Sequence, residues 1–306
     1  MIVGFVGAGG IGGYYAGLLR RAGLDVRLLA RGEHLAAIKE RGLEIRAPGD
    51  RWVATLEASS DDEILGGSDY VIVSVKGYSL DEVGPGIAKA AKAGAVVVPL
   101  LNGVEAADRL ERLGVPRTAI IGGLTRISVA RVSPGVIERK SAFDKVTIGE
   151  LDRVPRERTT ALAGAFAHAG SSVQVSDDIG LDLWRKFAFI VSLNVVCGLS
   201  RGPIGRVLSS ERGRTLLTNT LREIVQVSRV AGTSLSDAEE AQLTSELFAL
   251  APAMEPSFLW DLQRGGPTEL DTLAGAVSRM GHAHDVPTPI HDVATAAFEI
   301  ATQPRS

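Results

Sequence analysis

Gly7-Ala8-Gly9-Gly10-Ile11-Gly12 directly follows the apolar run Ile2–Val6 and opens the helical pattern Ile11–Ala22. No other feature narrows the fold as much. Between a first strand and a first helix, the spacing G-x-G-x-x-G predicts the phosphate turn of a dinucleotide-binding βαβ unit. Gly7 is expected to permit the tight turn, Gly9 to let the backbone approach a pyrophosphate, and Gly12 to bring helix and strand together. Ala8, Gly10 and Ile11 complete the cradle, where the helix amino terminus offers N–H groups and partial positive charge.

The second strand bears on which dinucleotide binds. Sites for NAD place an acid at its end to accept from the ribose 2′-OH. Here the strand Asp25–Ala30 is followed by Arg31, whose planar donor fork suits a 2′-phosphate, so NADP(H) is the expected cofactor. Glu33, two residues on, is the argument for NAD. Lys76 and Asn102 follow the runs Tyr70–Val75 and Ala95–Val98, at strand ends where such a fold binds ligands. Their positions fit equally a loop lysine and an Asn-Gly turn.

To about residue 150, short apolar runs alternate with helical periodicity at Glu33–Glu40, Ser79–Lys92 and Val104–Leu113, which predicts a mostly parallel, doubly wound sheet. The stretch 126–149 is broken at Ser-Pro-Gly and reads as antiparallel strands joined by a turn. After a last strand at Ser172–Val175 the texture becomes helical, with Glu211–Val230, Asp237–Leu250, Leu270–Met280 and Ile290–Ile300 as segments. The expected architecture is α/β: a Rossmann-type doubly wound domain over 1–175, then an all-helical substrate domain over 176–306. A ligand is expected between them, at the carboxyl ends of the strands.

Composition excludes other classes. The 306 residues carry a formal net charge of −3, which supplies no basic face for a nucleic acid. Cys197 is the only cysteine and lies in an apolar run, as a buried inert thiol in a reducing cytoplasm would. The amino-terminal apolar run is too short for a signal peptide, and no span of about 18 apolar residues is read, so no membrane partner is expected. The five histidines show no metal-ligand spacing, so no metal site is expected. The apolar helices over 202–230 could form a homodimer face.

Two polar features interrupt the helical half. Lys186 precedes the apolar stretch Phe187–Leu193, where desolvation would lower a lysine's pKa toward that of a competent general acid. Composition alone slightly favours a lysine at a helix start whose head snorkels to water. Ser257–Asp261 and Pro267–Asp271 form the second feature. There Thr268 reads as a helix cap, with Glu269 and Asp271 in the first turn, favoured by the helix dipole.

From residue 1 to about 295 the chain resembles the ketopantoate reductase (2-dehydropantoate 2-reductase) family. The motifs are GAGGIG at 7–12, ARGEHL at 30–35, VKGYS at 75–79, LNG at 101–103, LWRK at 183–186, SFLWD at 257–261 and PTELD at 267–271. The resemblance implies reduction of a 2-oxo acid by NADPH. It implies Lys186 as the catalytic lysine and Glu269 as the acid that bonds the substrate hydroxyl. Asn102 would contact cofactor and substrate, Lys76 would follow the preceding strand, and Asn194 and Ser257 would contact substrate. Two positions depart from the pattern. Ile190 stands where the family carries an asparagine, and Leu273-Ala274-Gly275 replaces a second one. A more apolar 2-oxo acid is the alternative substrate, and a non-catalytic NADP(H) sensor the alternative that Lys186 and Glu269 oppose.

Overall fold

The computed structural model describes residues 1–265 and 267–303. Gly266, beside the second polar feature, and 304–306 lie outside the described residues. The chain divides into one unit over Met1–Ile179 and another from Gly180 onward. The division falls just past the expected boundary at 175 because Ile179 packs into the first unit. A Cβ added to Gly122 or Gly149 would lie 2.6 or 2.9 Å from its side chain.

The first unit runs β1 (Ile2–Val6), α1 (Gly10–Arg21), β2 (Asp25–Leu29), α2 (Gly32–Arg41), β3 (Leu43–Ala47), β4 (Asp50–Ala54), β5 (Glu57–Ser59), β6 (Tyr70–Val73), α3 (Leu80–Lys92), β7 (Val96–Pro99) and α4 (Ala106–Arg112). It continues with β8 (Ile121–Arg126), β9 (Val129–Ser133), β10 (Val136–Arg139), β11 (Lys145–Glu150), α5 (Glu157–His168) and β12 (Ser172–Val175). Strands β5-β2-β1-β6-β7 form a parallel sheet in that order. Strands β1, β6 and β7 are apolar on both faces because both are covered, whereas the edge strand β5 (Glu57–Ser59) fully buries neither. In β6, Tyr70 and Ile72 enter the core shared with α1, α2 and α5, while Val71 and Val73 enter the core beneath α3. The chain turns outward in opposite directions from β1, so the end of β1 beside β6 is the switch point where such sheets bind ligands.

The Ser-Pro-Gly turn is present: β9 and β10 pair antiparallel across Pro134-Gly135, with Gly135 at φ +77. β10 also pairs in parallel with β3 of the β3–β4 hairpin, giving a second sheet of order β4-β3-β10-β9. This sheet lies on α1 through a series of glycines one helical turn apart. An added Cβ would lie 2.6 Å from the Val129 carbonyl oxygen at Gly10, 2.8 Å from Ile137 at Gly13, and 2.7 Å from Ile45 at Gly17. A third sheet has the order β12-β11-β8.

The second unit is helical: α6 (Ile179–Ser200, whose first residue belongs to the first unit), α7 (Ile204–Leu208), α8 (Glu211–Val230), α9 (Asp237–Phe248), α10 (Ser257–Arg264), α11 (Ala274–Ala283) and α12 (Pro289–Thr302). Ser210 caps α8, so 202–230 is two helices, and a Ser236–Glu239 capping box starts α9. Two expectations need correction. α6, at 22 residues, is long and apolar enough to cross a membrane by length and composition, although no such span is read from the sequence. Most of its apolar window is buried within the fold, with Phe187, Ala188, Val191, Val195 and Val196 at its centre. Residues 269–273 are not a first helical turn. The Leu270 carbonyl accepts from the N–H groups of Leu273 and Gly275, which closes a separate turn and delays α11 to Ala274. Thr268 caps no helix, and Asp271 is exposed.

Candidate active site

The turn after β1 separates its glycines by function. Gly7 sits at φ +104, and an added Cβ would lie 2.9 Å from both the Val75 amide nitrogen and its Cγ1. At Gly12 it would lie 2.0 Å from the Gly7 carbonyl oxygen, so only glycine allows α1 this close to β1. At Gly9 it would meet nothing within 4 Å. Gly9 therefore faces open space at the start of α1, where the first-turn N–H groups of Gly10, Ile11 and Gly12 have no acceptor within the helix. That opening fits the backbone approach of a pyrophosphate. Ala8, between the two tight glycines, is buried.

Two side chains that sequence reasoning missed brace this turn. Ser74, just past β6, donates through Oγ to the Gly7 carbonyl at 3.0 Å. His34, one turn into α2, is 4% exposed, and its Nδ1 accepts from the Gly135 N–H at 2.8 Å. That bond places the ring proton on Nε2, and the imidazole lies against the backbone of Ala8. Burial, then the charge of Arg131, lowers the His34 pKa, which keeps the ring neutral near pH 7. The only sequence signal was a histidine at a buried position of an amphipathic helix.

Arg31 is the N-cap of α2 with extended backbone. Its guanidinium pairs with Glu82, in the first turn of α3, and both side chains are more than half exposed. Lys76 is exposed at the head of the turn Gly77–Ser79. Arg109 of α4 braces that turn, donating to the Gly77 carbonyl at 3.0 Å and pairing with Asp81 at 2.9 Å. Asn102 lies just beyond β7, half-buried, and Gly103 at φ +104 gives the Asn-Gly turn. The residues expected at the cofactor thus all stand at the carboxyl edge of the parallel sheet.

In the helical unit, α6 carries Lys186, Ile190 and Asn194 at successive i+4 positions, on a stripe that drifts slowly around the helix. Lys186 and Ile190 are half-buried and Asn194 is 7% exposed. Ser257 is exposed in the first turn of α10. The next residue, Phe258, packs edge-on against Phe298, and an added Cβ on Gly198 would meet both rings. This contact ties α10 to the last turns of α6. Glu269 is 7% exposed in the turn before α11. Cys197 is fully buried, and burial, with the charge of Glu255, pushes its thiol up to about 12, so it is no nucleophile at neutral pH.

Residues 3–153 match the family model described as Ketopantoate reductase PanE/ApbA, and residues 178–300 match Ketopantoate reductase PanE/ApbA C terminal. A 2-dehydropantoate 2-reductase of Mesorhizobium japonicum is 30% identical over 312 residues, covering 95% of this chain and 94% of its own. A PanE/ApbA family ketopantoate reductase from Ralstonia eutropha JMP134 superposes with a TM-score of 0.89 at 29% identity, over 99% of this chain and 98% of that one. A D-mandelate dehydrogenase solved with NADH and anilino(oxo)acetate has a TM-score of 0.88 at 23% identity, over 99% and 98%, a likeness of fold.

Proposed function

The chain belongs to the ketopantoate reductase family, and from that premise we propose that it reduces a 2-oxo acid to the 2-hydroxy acid with NADPH, with 2-dehydropantoate, giving pantoate, as the first substrate to test. The observation that carries the reading is the turn at the switch point. Gly9 leaves space for a pyrophosphate, and Arg31 stands at the end of the neighbouring strand. The dinucleotide, when bound, supplies the hydride that reduces the C2 carbonyl. The chain's own residues do the rest. The first-turn amides of α1 hold the phosphates, and Arg31 offers its fork to the 2′-phosphate. Lys186 stabilises the negative charge that develops on the carbonyl oxygen and gives it a proton. Glu269 accepts from the hydroxyl group that results, while Asn194, Ser257 and Asn102 orient the substrate.

Ile190 favours a second substrate. It stands one turn beyond Lys186, where an amide would reach a polar substrate group, and an isoleucine there suits an apolar side chain instead. The test is NADPH oxidation across a panel of 2-oxo acids led by 2-dehydropantoate, with NADH run in parallel. Turnover of 2-dehydropantoate above branched or aromatic 2-oxo acids supports the first reading, the reverse order supports the second, and no stimulation by any 2-oxo acid refutes both.

A further inference from the structure

The guanidinium of Arg31 already has an anion. Glu82 reaches it from the first turn of α3, the helix that follows β6, while Arg31 starts the helix that follows β2. Strands β2 and β6 flank β1, so the pair joins elements from the two sides of the switch point. The neighbouring acid, Asp81, is taken by Arg109. Both members of the Arg31–Glu82 pair remain well exposed, at 52% and 63% for their side chains, so the contact can open without unpacking a core.

We propose that Glu82 is a specificity-determining residue that acts through Arg31, as an internal rival to the 2′-phosphate of the cofactor. The inference rests on the NADP(H) reading of Arg31. A phosphate presents more charge and more acceptor oxygens to a guanidinium fork than a carboxylate does. It therefore displaces Glu82, but it gives up part of its gain to break the existing pair, and the freed carboxylate then repels it. An unphosphorylated dinucleotide meets neither cost. Glu82 thus narrows the preference for NADP(H) over NAD(H).

Binding of 2′-phospho-ADP-ribose and of ADP-ribose, measured by titration calorimetry on the whole chain, tests this. Glu82→Gln is expected to tighten 2′-phospho-ADP-ribose about two- to fivefold at low salt, the scale of one exposed ion pair, and to leave ADP-ribose unchanged. The gain should fade at high salt and vanish in an Arg31→Ala background. An equal change for both ligands, no change for either, or a gain that survives Arg31→Ala overturns the proposal. Failure of the NADP(H) reading looks different: the unsubstituted chain would bind both ligands alike, and Arg31→Ala would alter neither.

Discussion

The N–H of Gly135, in the turn between β9 and β10, donates to Nδ1 of His34 on α2 at 2.8 Å, across 101 residues of sequence. Through this bond the second sheet reaches the helix that begins at Arg31, and the same imidazole faces the backbone of Ala8. His34→Ala leaves the Gly135 N–H without its acceptor, which is expected to cost about 1–3 kcal/mol in urea unfolding at pH 7.5. No measurable loss would show that the bond does not hold the turn.

The same histidine sets a pH dependence. Its folded pKa lies below the ordinary 6.5, because burial, then Arg131, disfavours the charged ring. The unfolded chain therefore takes up this proton first, and stability present above pH 6.5 is lost as pH falls toward the folded value. Unfolding free energy followed from pH 7.5 to 5 should drop more steeply for the unsubstituted chain than for His34→Gln. Parallel curves would remove His34 from the explanation.

Alanine at two glycines should fail in opposite ways. At Gly12 the new Cβ would lie 2.0 Å from a carbonyl oxygen that cannot retreat, so the first unit should lose several degrees of Tm or fail to fold. At Gly9 it meets nothing within 4 Å, so Tm should hold while dinucleotide affinity falls at least about tenfold. Tight binding by a folded Gly9→Ala variant would move the phosphate site elsewhere.

Lys186→Ala is expected to lower kcat on the best 2-oxo acid by about two to four orders of magnitude, the usual scale of a lost proton donor, with NADPH Kd nearly unchanged. Glu269→Gln should lower kcat/KM in the same assay. A fluorescence titration of NADPH beside the turnover assay separates chemistry from cofactor binding. Near-normal turnover without Lys186 would end its assignment.

Ile190→Asn restores a donor one turn from Lys186. If the first substrate reading holds, kcat/KM for 2-dehydropantoate should rise relative to that for an apolar 2-oxo acid. The change should be about tenfold or more, the scale of a hydrogen bond to a charged group. A ratio of rates that does not move would place residue 190 away from the substrate.

The β1–α1–β2 unit was legible because its signals are local: an apolar run, glycines at fixed spacing, then helical periodicity. The Pro134-Gly135 turn was legible for the same reason. The β3–β4 hairpin was not, since its strands are short and draw their partner β10 from ninety residues away. The start of α11 was misplaced because acids after Thr268 mimic a first turn, whereas the Leu270 carbonyl closes a tighter one. Lys186, Ser257 and Glu269 could be named from motifs, and Asn194 from the family resemblance, but their burial could not. Ser74, His34 and Arg109 act through contacts distant in sequence, and Glu82 looks like any acid at a helix start until Arg31 is found beside it.

The glycines of the phosphate turn and of α1 belong to two interleaved registers. Gly7, Gly9 and Gly12 shape the phosphate turn, while Gly10, Gly13 and Gly17 seat the second sheet against the helix. A loop of this kind is consequently not a portable cassette. Grafted onto another scaffold as the loop and α1 alone, it would carry a helix whose bare flank has nothing to lie on. The smallest transferable module is the loop, its helix and the paired hairpins together.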